Sequence, residues 1–116
     1  MTTQAYEEGS MTLLEQALTE LAAGEVRQAS EKGWGSAALA IKALCERRGW
    51  NHGRHRDLFV TVDRLVDETG DQEIDTLFAS ANMLHVNFYE NHEGAAKVAQ
   101  RLERVQLFID KLDALP

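Results

Sequence analysis

The chain has one cysteine and one proline in 116 residues, few aromatic side chains and no long uncharged apolar run. A lone cysteine excludes an internal disulfide, and Cys45, flanked by Ile41 and Leu44, reads as a small buried hydrophobe. The only proline is Pro116, so nothing ahead of it removes a backbone donor from a helix. The first residues are polar and include Glu7 and Glu8, a pattern unlike a secretory leader or a membrane span; a cytoplasmic location is the expectation.

What is present is helical spacing of apolar residues across most of the length. With 44% hydrophobic side chains, the chain has material for one core, and residues 1–116 are expected to form a single domain. A first helix is expected from Ser10 as cap to Ala23, with Leu14, Leu18 and Leu21 inward. Gly24 separates it from a second helix over Glu25 to Arg48, whose apolar side runs through Ala29, Trp34, Ala37, Ile41 and Leu44. Gly49 should stop that helix, and Trp50 to His55 has no periodicity and reads as an ordered loop. A third helix is expected over Arg56 to Glu68, with Leu58, Val62, Leu65 and Val66 buried. Gly70 breaks it, and Asp71 caps a fourth helix that continues through Ile74, Leu77, Phe78, Ala81, Leu84 and Phe88 to about Tyr89. A fifth carries Ala95, Val98, Leu102, Val105, Ile109 and Leu112. Short connections make this an all-α, compact antiparallel bundle of about five helices.

Charge is unevenly distributed. Between Arg27 and Arg56 stand seven basic and two acidic residues, a balance of +5; the remainder has five basic and seventeen acidic, −12, and together these give the net −7. This disfavours a broad nucleic-acid surface but allows a local anion site in the basic stretch. In the second helix Gly33 and Gly35 lie among Ser36, Ala37, Ala38 and Ala40. Two glycines inside a helix cost about 1 kcal/mol each, so they call for the compensating close crossing of a neighbouring helix backbone, or for ligand room with Lys32 or Lys42 reaching an anion.

The segment Arg47-Arg48-Gly49-Trp50-Asn51-His52-Gly53-Arg54-His55 is the main candidate site. Guanidinium groups grip phosphate oxygens, and a neutral imidazole can take a proton from an attacking hydroxyl. The same arginines also suit the negative end of a helix, and Trp50 suits a loop anchor or a base-stacking ring. His85, four residues before Tyr89 and seven before His92, defines a second polar cluster that can meet the loop histidines or sit at the edge of the core. No histidine and carboxylate spacing matches a metal site, and Gly33-Trp34-Gly35 lacks the strand and pattern of a phosphate loop; neither metal nor cofactor is expected.

Arg47-x4-His52 and Arg48-x6-His55, carried on this helical pattern from about Leu13 to Leu112, resemble the Arg-x(4–6)-His motif of the HEPN superfamily. Lys32-Gly33-Trp34-Gly35-Ser36-Ala37-Ala38 with Arg47-Arg48-Gly49-Trp50 resembles an uncharacterised prokaryotic branch of it. The resemblance implies a dimeric helical module associated with nucleotides, RNA and toxin–antitoxin systems. In its active ribonucleases the arginine and histidine cleave RNA without a metal. Carried over, Arg47, Arg48, His52 and His55 are the catalytic candidates, and Lys32, Lys42, Trp50, Asn51, Arg54 and His85 the ligand-binding ones. The expected partners are a second copy and an RNA or nucleotide. The alternative is a non-catalytic interaction module, for which the acidic balance outside the basic stretch favours a basic protein partner.

Overall fold

A computed structural model describes residues 1–116 as five helices: α1 (Thr3–Ala22), α2 (Val26–Arg48), α3 (His55–Thr69), α4 (Gln72–Glu90) and α5 (Ala95–Asp113). They pack as a mostly antiparallel bundle of 38 × 27 × 24 Å. The central helix α2 touches all four others, and α1 lies along it.

The helix stops follow the glycines. Gly49 and Gly70 close α2 and α3 in the left-handed conformation, at φ 71 and 72, where a side chain would meet the following carbonyl. Asp71 caps α4 by accepting the Glu73 N–H at 3.0 Å, as expected from its sequence position. No helix is long and apolar enough to cross a membrane.

Two expectations for α1 are corrected. The helix begins at Thr3, with the Thr2 hydroxyl accepting the Ala5 N–H at 3.1 Å, instead of being capped by Ser10. Ser10 lies inside the helix, buried against α2, where it donates to the Ser36 carbonyl at 2.7 Å while the Ser36 hydroxyl donates to the Ser10 carbonyl at 2.7 Å. This reciprocal pair holds two backbones together and turns α1 so that Ser10, Leu14 and Ala17 face inward while Leu18 is 51% exposed. Elsewhere the expected core residues of α2 and α4 are in place; Phe88 is half-buried, Ala95 is exposed, and fully buried Phe108 completes the α5 stripe.

The glycines of α2 serve packing. A Cβ on Gly33 would stand 2.5 Å from Leu102 Cδ2 and 2.9 Å from Leu84 Cδ1, and one on Gly35 would stand 3.0 Å from Leu13 Cδ1. The approach is close, but leucine side chains from α5, α4 and α1 make it, where the sequence pointed to a neighbouring backbone. Room for a ligand at Gly33 is taken by these leucines.

Candidate functional site

The α2 terminus and the loop after it bring the expected arginines and histidines into one region and then give each a different partner. Arg47 donates to the carbonyls of Leu112 at 3.3 Å and Leu115 at 3.2 Å, and reaches Glu7 at 3.5 Å. Arg48 donates to Glu68 at 2.8 Å and to the Pro116 carbonyl at 3.1 Å. Both therefore tie the end of α2 to other parts of the chain. Trp50 packs against the core and carries two guanidiniums over its ring, Arg48 at 4.8 Å and Arg64 at 3.8 Å from the centroid. Its backbone N–H donates to the Cys45 carbonyl at 2.8 Å, which fixes the loop's first step. Trp50 is thus held as a partly buried ring at the edge of the core.

His52 turns back toward α1 and α2. Its Nε2 is 2.8 Å from Glu46, its ring meets Tyr6 edge to face, and its backbone carbonyl accepts from Lys42. The His52 bond is the main reason the Glu46 carboxyl is held below its ordinary range. Lys42 is thus spent on the loop backbone, and Lys32 on an ion pair with Glu20. Neither His52 nor His55 is hydrogen-bonded to Arg47 or Arg48 within the chain.

His55 opens α3 and goes to the other side of α2. There it meets Trp34 at 5.4 Å, Phe59 at 5.3 Å and His85 at 5.7 Å between ring centroids. His85 stacks on Trp34 at 5.2 Å, meets Tyr89 edge to face, and holds Glu31 through Nδ1 at 3.0 Å. The sequence expectation that the His85 end of α4 can meet a loop histidine is realised through His55. His92 does not join them: α4 ends at Glu90, and the His92 N–H instead donates to the Asn87 side chain.

The cluster is anchored from below and open above. Trp34 and Phe78 are buried, His85 is half-buried, and His55, Phe59 and Tyr89 are exposed, Tyr89 by 66%. Phe59 is the ring the sequence reading missed; its i, i+4 relation to His55 on α3 was the available signal. Arg54 and Arg56 flank His55, both exposed and both without an ion pair or side-chain hydrogen bond to another residue. Asp57 accepts the Arg54 backbone N–H at 2.9 Å and so fixes the start of α3 beneath them. Asn51 is exposed in the loop.

The basic stretch is thereby divided. Its members within α2 are used on carbonyls and carboxylates, and those at the start of α3 remain available. No group of three or more histidine, cysteine or carboxylate side chains is close enough to hold a metal ion. Cys45 is buried beside Thr61 at 3.2 Å, and burial raises its thiol pKa above the ordinary 9.0.

Fold and site together define an all-helical bundle with an open cluster of rings and imidazoles beside two unpaired arginines. Within that class, the chain belongs to the archaeal PaREP1/PaREP8 family, which residues 5–109 match. No curated protein and no solved structure matches it.

Proposed function

We propose that this chain is a HEPN-like module, working as a homodimer, that binds a nucleotide or RNA end on the face formed by the start of α3, Trp34 of α2 and the last two turns of α4. The observation that carries this reading is the open ring cluster of His55, Phe59, His85 and Tyr89 next to unpaired Arg54 and Arg56. Exposed rings stack on bases without regard to sequence, and free guanidiniums grip phosphate oxygens. The acidic remainder of the chain restricts such binding to this one face.

Binding without cleavage is the favoured form. An arginine and histidine acting on one phosphodiester must converge on it, whereas Arg47 and Arg48 are engaged by the chain's own carbonyls and carboxylates and His52 by Glu46. The test is fluorescence anisotropy with a labelled single-stranded oligoribonucleotide and with a labelled adenine nucleotide, in buffer free of divalent metal. The expected result is saturable binding that weakens about tenfold in Tyr89→Ala and loses salt dependence in Arg54→Ala/Arg56→Ala, with the oligonucleotide recovered intact. Equal binding by these variants refutes the face; metal-free cleavage abolished by Arg47→Ala or His52→Ala refutes the non-catalytic form. Sedimentation equilibrium checks the homodimer.

The second reading, a protein-interaction module with a basic partner, is favoured by the −12 balance outside Arg27 to Arg56.

A further inference from the structure

A second concave surface lies between α1, α2 and α5, helices that take no part in the ring cluster except through α2. It is a cleft of about 530 Å³, within the range of about 300–1,000 Å³ usual for ligand pockets. Its origin is local. The Ser10–Ser36 pair draws α1 onto α2, and Ala40 and Ala43 of α2 are too small to fill the space left between α1 and α5. Buried Ala40, Ala43 and Ile109 form the floor, and Met11, 39% exposed, forms an apolar shoulder.

The rim has the opposite character. Glu7, Glu8 and Asp113 line it with a single cation, Arg47. That guanidinium is already shared among Glu7 and the Leu112 and Leu115 carbonyls. Glu8 receives only the neutral Gln4 amide, and Asp113 has no ion-pair partner. Two exposed carboxylates thus stand uncompensated at the mouth of an apolar floor, on a chain whose net charge is −7. Like charge disfavours an anionic ligand there, and likewise the acidic surface outside Arg27 to Arg56 of a second copy.

We propose that this cleft is the docking groove for a basic amphipathic segment of a partner protein. Such a segment lays an apolar side chain over Met11, Ala40, Ala43 and Ile109 and sets a lysine or arginine against Glu8 and Asp113. The proposal stands on different residues from the nucleotide face and does not depend on it.

The test uses the full chain and a fluorescent synthetic peptide with leucines at helical spacing and lysines elsewhere, alongside an analogue carrying glutamate for lysine. Saturable binding of the lysine peptide alone is expected, with methyl NMR shifts at Met11 and Ala43. The surface double variant Glu8→Lys/Asp113→Lys should weaken it at least about tenfold while keeping the wild-type circular dichroism and the wild-type response to oligoribonucleotide. Absence of saturable binding, equal binding of the glutamate peptide, unchanged affinity in the double variant, or methyl shifts confined to other helices each overturns the proposal. So does sedimentation showing self-association that the double variant abolishes, since the groove's occupant would then be a second copy. Loss of oligoribonucleotide binding in Tyr89→Ala with peptide binding intact separates failure of one surface from failure of the other.

Discussion

Replacing Asn87 by alanine should cost about 3 kcal/mol, although this residue touches no candidate ligand-binding group. Asn87 is fully buried in α4. Its Oδ1 accepts the backbone N–H groups of His92 at 2.9 Å and Glu93 at 2.8 Å, and its Nδ2 donates to Ser30 at 3.0 Å and to the Glu93 carbonyl at 3.3 Å. One side chain thus holds the α4–α5 turn to itself and to α2. Alanine deletes all four bonds. Each bond contributes about 1 kcal/mol net, and a donor left buried without a partner costs about 1–3 kcal/mol. The exposed His92 can turn its N–H to water and so recover its bond; the other three losses, with the half-buried Glu93 N–H at the low end of that penalty, place the total near 3 kcal/mol. For a chain of this size, that is a fall of roughly 10–15 °C in Tm. The assay is thermal and urea unfolding by circular dichroism, with an unchanged urea m value showing that the denatured state is unaltered. A Tm within about 3 °C of wild type would show that the turn holds without its buried amide and that the four bonds carry little of its stability.

Three further outcomes follow from the same geometry. Gly33→Ala gains about 1 kcal/mol in helix propensity but must displace Leu102 and Leu84, an overpacking cost of about 1–3 kcal/mol; urea unfolding should show a net loss of about 1 kcal/mol, smaller in a Leu102→Ala background. Glu93 is held below its ordinary 4.5, first by its hydrogen bonds to Arg101 at 2.7 Å. Its stabilising contribution is therefore complete above about pH 4.5 and lost as pH falls through the lowered folded-state value. Glu93→Gln should lower Tm at pH 7 and converge on wild type in acid, as a Tm series against pH would show. Cys45, buried with a raised pKa, should react with a disulfide reagent at least about tenfold more slowly in the native chain than in denaturant, followed by absorbance.

The candidate site was only partly legible in the sequence. Spacing brought Arg47 and Arg48 toward His52 and His55 along the chain, but a spacing motif cannot say which way a loop side chain turns. His52 falls to the α1 side, against Tyr6, and His55 to the α4 side, against His85. The carbonyls that occupy Arg47 come from Leu112 and Leu115, more than sixty residues away in the chain. The Ser10–Ser36 pair escaped notice for a similar reason: a serine near an expected helix start looks like a cap until a second helix supplies its partner.

By itself the sequence determined the helical class, the stops at Gly49 and Gly70 and the Asp71 cap, because these depend on backbone sterics and apolar periodicity within a few residues. Tertiary structure alone decided which basic groups remain free, which rings gather around His85, and where small α2 side chains leave a cleft. Those outcomes depend on hydrogen-bond partners and packing surfaces brought together from distant segments, which local spacing does not encode.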